Sequence, residues 1–361
     1  MQRLIRCLVA PVILTCLFAS QVRAADIIWA SENPEPTMGD GAFTDLLEAE
    51  GHNVVRFDST ARAALTASEI DMFNAADLVI GSRAMHSGSF EVADEVTVWN
   101  TQITSPLMLM SPYAIRTNRA GWQQGNDVPD SAPTPLIAED PSHAVFSGVS
   151  LGPDGTMIND YNIMIEAGTS TMGHPPVAGG IVIATNPAVA DGNGVAIAEW
   201  PVGTTVMSDA AGEQQLAGPR YFFAGGNREM GTNFQTNAGQ MDLTADGQLL
   251  FLNMINYILG SEPPVPGDFN GDGEVTAADF EILSMNLGGH LDGSVGRSDG
   301  DMNFDGKVDL RDFGQFKELF PGAFAQAQGV PEPATLGLVA CVLAVLALGP
   351  LRKRGERTVV E

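Results

Sequence analysis

Asp268-Phe269-Asn270-Gly271-Asp272-Gly273-Glu274-Val275-Thr276-Ala277-Ala278-Asp279-Phe280 sets oxygen-bearing side chains two residues apart around a glycine. The pattern returns 33 residues on as Asp301-Met302-Asn303-Phe304-Asp305-Gly306-Lys307-Val308-Asp309-Leu310-Arg311-Asp312-Phe313. Both copies carry side-chain oxygens at positions 1, 3, 5 and 12, with Gly at 6 and Val at 8. A hard cation requires such spacing, because alternate residues of a tight loop converge on one point and glycine makes the sharp turn. Glycine also sets the register: a second loop begun at Asp299 would put Phe304 at the turn. The expected ligands are Asp268, Asn270, Asp272, Glu274, Thr276 and Asp279 in one loop, and Asp301, Asn303, Asp305, Lys307, Asp309 and Asp312 in the other. Position 7 (Glu274, Lys307) offers its backbone carbonyl, and position 9 (Thr276, Asp309) acts through water. Two calcium sites are therefore expected. Thirteen acids against four bases between Glu262 and Pro321 repel one another until a cation binds, so folding should depend on calcium.

Position 12 is Asp in both copies, and a single helix follows each loop, about Ala277 to Leu287 and Leu310 to Leu319. These features resemble the dockerin type I repeat, a small all-α, EF-hand-like module, here spanning 268–321. The resemblance implies a cohesin-like partner, recognised in cellulosomal dockerins near positions 10 and 11 and often through small hydroxyl side chains. Those positions are Ala277-Ala278 and Leu310-Arg311 in this chain.

Upstream, Ser261-Glu-Pro-Pro-Val-Pro-Gly267 is a stiff linker that closes a larger domain over 25–260. Short apolar strands (Ile27 to Ala30, Val54 to Phe57, Leu78 to Ile80, Pro106 to Met110) alternate there with amphipathic helical stretches such as Ala42 to Leu47 and Val92 to Trp99. This alternation predicts an α/β domain with a mostly parallel sheet covered on both faces. Beyond Tyr113 the expected strands (Ile181 to Thr185, Val195 to Trp200, Thr205 to Met207, Tyr221 to Ala224) are partly antiparallel. Thr244, as N-cap, and Gly260, just past the end, bracket a final helix. The opening strand, Gly51-His52-Asn53-Val54-Val55, Ala76 to Ser82, Arg220 to Gly225 and Leu243 to Asn253 together resemble the flavodoxin-like sheet of the class I glutamine amidotransferase superfamily, in particular its ThuA-like members. In that superfamily a cysteine nucleophile sits in a glycine-flanked elbow after a strand. Ser111 holds that place here, and Leu109 and Tyr113 stand where the glycines would be, so amidotransferase chemistry is not expected.

Ligands of open α/β sheets bind beyond the C-terminal strand ends. That rim offers Ser31, Glu32, Ser82, Arg83, His86, Ser111, Tyr113, Asn227 and Arg228. Ser111 and His86 are the candidate nucleophile and base. Gly39-Asp40-Gly41 is a candidate anion cradle. Trp122 is a candidate sugar-stacking residue, with burial the favoured reading.

Charge and cysteine usage narrow the field. The 361 residues carry a net charge of −26, and residues 25–261 hold seven Arg, no Lys and 28 acids, which excludes nucleic acid as a partner. Cys7, Cys16 and Cys341 are the only cysteines, so the folded part has no disulfide framework, thiolate metal site or thiol nucleophile.

All three lie in the two end segments. Residues 1–24 combine Arg3 and Arg6, an apolar run and Val22-Arg23-Ala24, the pattern of a cleavable secretory signal. At the far end a linker over 322–333 contains Pro331-Glu332-Pro333, followed by the apolar run 334–351 and a basic tail over 352–361. Eighteen helical residues would reach about 27 Å, enough for a transmembrane helix whose tail is cytoplasmic. The order of motif, apolar helix and basic cluster resembles the PEP-CTERM sorting signal, which implies processing by an exosortase-type enzyme.

The expected protein is exported and held at the cell surface, at least transiently through the membrane. It is read as a binding or scaffold component of the envelope or exopolysaccharide matrix that contacts a glycan or a cohesin-like protein. The alternative is a carbohydrate-active hydrolase using the rim.

Overall fold

The computed structural model describes residues 24–33, 39–60, 65–165, 167–189, 194–228, 238–261, 265–288, 295–303 and 306–323. The leader up to residue 23, the Pro-Glu-Pro motif, the apolar run, the basic tail and Asp305 lie outside the described residues. Among the described residues no helix is long and apolar enough to cross a membrane.

An eight-stranded mixed sheet organises the larger domain. Its strands are β1 (Asp26–Ser31), β2 (Asn53–Asp58), β3 (Leu78–Gly81), β4 (Leu107–Leu109), β6 (Ile137–Ala138), β8 (Ile181–Asn186), β9 (Gly194–Trp200) and β12 (Arg220–Phe223), in the order β2-β1-β3-β4-β12-β9-β8-β6. The first five are mutually parallel, and β9, β8 and β6 extend the sheet in antiparallel pairs. The short pairs β5 (Asp130–Ser131) with β7 (Thr169–Ser170) and β10 (Thr205–Ser208) with β11 (Gly212–Gln215) form two small sheets.

Burial follows position in the sheet. Central β1 and β3 are buried along nearly their whole length, as a doubly covered sheet requires, whereas edge strand β2 exposes Asn53, Val55 and Asp58. Trp29, Phe43, Phe251 and Phe223 form a chain of ring contacts, with centroids 5.3 to 5.8 Å apart, that joins the sheet to its helices.

The helices are α1 (Gly41–Ala49), α2 (Ala67–Ala75), α3 (Ala93–Thr97) and α4 (Ala245–Leu259). Thr66 and Glu69 make a capping box on α2, while Thr244 accepts the Gly247 N–H and left-handed Gly260 (φ 65°) ends α4. The helix expected over Val92 to Trp99 is shorter, because it widens into a π turn at Val98–Gln102. Arg220 is the reason that turn can stay open. Its buried guanidinium donates to the carbonyls of Trp99, Asn100, Ile103, Ser105 and Pro219, and those of Trp99, Ile103 and Ser105 are acceptors that the turn and its exit leave open. Trp122 is fully buried, with its indole N–H on the Asn100 side chain at 2.9 Å and its ring 5.4 Å from that of Trp200.

The C-terminal module has its own small core of Phe269, Leu283, Met302, Val308, Phe316 and Ala323. Two helices flank it, α5 (Ala277–Asn286) and α6 (Leu310–Leu319), with a 3-10 turn at Arg297–Asp299 between them.

Candidate metal centre

Each loop runs directly into its helix, and the same residues serve both. Thr276 and Asp309, at position 9, are the N-caps of α5 and α6, and Asp279 and Asp312, at position 12, complete the capping boxes. Asp279 is fully buried; one carboxylate oxygen accepts the N–H groups of Phe269 (2.8 Å) and Asn270 (3.1 Å), and the other accepts that of Thr276 (2.8 Å). Asp312 repeats the arrangement with Met302 (2.9 Å), Asn303 (3.2 Å) and Asp309 (2.8 Å). The position-12 carboxylate thereby ties the start of its loop to the end.

Asp268 is the hub of the first loop. Its oxygens accept the N–H groups of Gly271 (2.8 Å), Asp272 (3.2 Å) and Gly273 (2.8 Å), so the backbone curls around the carboxylate. Gly273 (φ 86°) and Gly306 (φ 78°) take the left-handed conformation that position 6 demands. Asp301 accepts the Gly306 N–H at 2.8 Å, and the Asn270 amide reaches the Asp272 carboxylate at 3.0 Å.

Among the described residues no group of three His, Cys, Asp or Glu side chains forms a metal cage by itself. The donors here are of another composition: carboxylates mixed with an amide, a hydroxyl and backbone carbonyls. This all-oxygen set in a left-handed glycine turn fits a hard cation of calcium type and offers nothing to a thiophilic metal.

The family profile of the dockerin type I domain matches residues 266–319. This stretch is a dockerin type I domain. Such domains bind calcium and take cohesins as partners in extracellular settings. No curated protein matches the chain. Among solved structures, a cytoplasmic protein of Salmonella typhimurium is 13% identical with a TM-score of 0.38, covering 64% of this chain and 98% of that one. A protein of Parabacteroides merdae described as ThuA-like is 12% identical with a TM-score of 0.37, covering 66% of this chain and 92% of its own.

The dockerin leaves the rim of the large sheet to be considered separately. Ser111 is buried after β4, and its carbonyl accepts the Ala114 N–H at 3.1 Å. His86 caps a short 3-10 turn, its Nδ1 accepting the Gly88 N–H at 2.9 Å. In the neutral ring this places the proton on Nε2, which leaves no lone pair to take a hydroxyl proton. Tyr113 lies between two guanidinium groups, Arg83 at 5.0 Å and Arg116 at 5.3 Å from its ring centre.

Three rim residues carry structure that sequence patterns do not reveal. Asp40 is fully buried, and its carboxylate accepts from Trp29 Nε1 (2.9 Å), Ser31 Oγ (2.6 Å) and Arg56 Nη2 (2.5 Å). The stretch Gly39-Asp40-Gly41 therefore presents a carboxylate already bound to the fold, and Gly39 is needed because a Cβ would stand 2.5 Å from the Ala238 carbonyl. Asp242, also fully buried, accepts the Gly226 N–H (2.7 Å) and the Thr169 hydroxyl. Burial raises its pKa to about 6, against the hydrogen bonds from Thr169 and Gly226 that favour the anion. Asn227 follows β12 with its whole side chain buried and neither amide atom hydrogen-bonded. The only sequence signal for Asp40 was its place between two glycines; for Asp242 there was none, since its partners lie up to 73 residues away.

Proposed function

We propose that the chain is an exported surface protein in which two calcium ions order the dockerin domain as a docking module for a cohesin-like protein, while the flavodoxin-like α/β domain serves as a binding or scaffold unit. The observation that carries the reading is the repeated pair of buried carboxylates, Asp268 with Asp279 and Asp301 with Asp312, each engaged by its own loop's backbone. Calcium supplies the positive charge that the acid-rich repeat lacks. Asp268, Asn270, Asp272, Glu274, Thr276 and Asp279 would hold one ion, and Asp301, Asn303, Asp305, Lys307, Asp309 and Asp312 the other.

A docking role is supported by apolar side chains on the dockerin helices. Met285 is 77% and Leu310 74% exposed, and Leu319 is also open to solvent. Leu310 and Arg311 stand at positions 10 and 11, so the partner expected here meets an apolar and cationic surface in place of a hydroxyl pair. Export rests on the leader and on the PEP-CTERM-like tail, which would anchor the chain in the membrane until an exosortase-type enzyme acts.

Isothermal titration of the full chain with calcium tests the central claim. Two ions per chain and none after chelator competition support it, and an absence of binding overturns it. Incubation with polysaccharides tests the hydrolase alternative in the same preparation: product release abolished by Ser111→Ala would replace the scaffold reading with an enzymatic one.

A further inference from the structure

Arg297 belongs to neither calcium loop, yet it is buried, with 7% of its surface exposed. It faces two domains. On one side lies Glu50, the residue that ends α1, whose carboxyl is within electrostatic reach of Arg297. On the other, Arg297 Nη2 donates to the Val265 carbonyl at 3.2 Å and its charge acts on Asp268. The same Val265 carbonyl accepts the Asp268 N–H at 3.1 Å, at the entrance to the first loop. Arg297 also opens the turn whose next residues are Gly300 and Asp301, the entrance to the second.

The backbones at this junction are close. A Cβ on Gly296 would sit 2.9 Å from the Cβ of Ala49 and 3.0 Å from its carbonyl, and one on Gly148 would sit 2.3 Å from Pro266 Cγ. Helix α1 is capped by Asp40 on the rim and by Glu50 just before β2 begins, so the junction lies at the N-terminal edge of the strands, opposite the rim.

We infer that the dockerin domain is docked on this edge through Arg297 and Glu50, and that calcium binding and docking strengthen each other. The reasoning is electrostatic and rests on the calcium reading above. One guanidinium is shared between the carboxylates of Glu50 and Asp268. Once an ion takes up the charge of Asp268, Arg297 is left to Glu50, and the ordered loop entrances hold Val265 and the 296–301 turn in the docking geometry. Linkage makes the effect reciprocal, so an undocked chain must bind calcium more weakly. The docked module would leave the rim clear and keep Met285 and Leu310 outward, allowing one chain to engage two partners at opposite ends.

Hydrogen exchange on the full chain, with calcium or with chelator, separates the two claims. Peptides covering 268–279 report the ion, and peptides covering 46–53 report docking. Calcium should slow exchange in both regions of the parent protein. Gly296→Val places a side chain against Ala49 but suits the extended backbone there (φ −120°, ψ −174°), so the dockerin itself can fold. In this variant calcium should still protect 268–279 but no longer 46–53, with calcium affinity reduced about 5- to 10-fold. Glu50→Gln, made on the other domain, should act in the same direction. Docking is overturned if 46–53 responds to calcium equally in parent and variants, or in none while 268–279 responds. If 268–279 itself is indifferent to calcium, the calcium reading fails and the coupling falls with it.

Discussion

The carboxylate of Asp279 accepts the backbone N–H of Phe269 at 2.8 Å, ten residues back along the chain. Through this contact the twelfth position of the loop holds the second, and Asp312 holds Met302 in the same way at 2.9 Å. Loop closure and helix capping thus rest on one side chain in each repeat, which makes that side chain the most economical place to test the module.

Asp279→Asn and Asp312→Asn should each remove one calcium ion from the titration stoichiometry. Each also leaves the remaining site weaker by roughly tenfold, because the two half-cores share Phe269 and Phe316. Two ions bound to either variant would show that position 12 is not a ligand.

Asp242 should make stability fall as pH rises. Its carboxyl has a folded pKa of about 6, above the unfolded value of about 4, so the native state holds the proton more tightly. The stabilisation is complete below about pH 4 and is lost as pH rises through 6, by an amount on the order of 1–3 kcal/mol. Asp242→Asn should flatten the denaturation midpoint between pH 4 and pH 7. An unchanged pH profile in the variant would assign the dependence elsewhere.

Arg220→Met should cost about 3–5 kcal/mol, since the carbonyls of Trp99, Ile103 and Ser105 lose their donor at once, while those of Asn100 and Pro219 keep the N–H groups of Ala217 and Leu107. Burial pulls the pKa of Arg220 down to about 9, which still leaves it charged at neutral pH. A thermal melt lowered by less than a few degrees would mean that water replaces the guanidinium.

Two glycines, Gly247 inside α4 and Gly260 just past its end, should behave differently when replaced by alanine. At Gly247 the new methyl would stand 1.9 Å from the Tyr161 carbonyl, and the overpacking should cost about 2–3 kcal/mol. At Gly260 nothing lies within 4 Å, and only the left-handed backbone is penalised, by about 1 kcal/mol. Chemical denaturation of the pair ranks them, and equal losses would contradict the packing described for Gly247.

Much of the architecture could be read without coordinates because its causes are local. The spacing of Asp268, Asn270, Asp272 and Asp279 is a property of one loop, and Thr244 and Gly260 bracket their helix through bonds within a single turn. The apolar runs of β1 and β3 were visible for a similar reason: strands covered on both faces need no polar alternation. The extra strand β6 was missed, because two residues of backbone pairing leave almost no pattern.

The sequence by itself determined the two acidic loops, the helices that follow them and the parallel half of the sheet, since each depends on residues within a few positions of one another. Tertiary structure alone decided what the buried charges do. Arg220 meets Trp99 from 121 residues away, Asp242 meets Thr169 from 73, and the charge of Glu50 acts on Arg297 from the other end of the chain. A charge must find its partner to remain inside a fold, and no local pattern records where in the chain that partner lies.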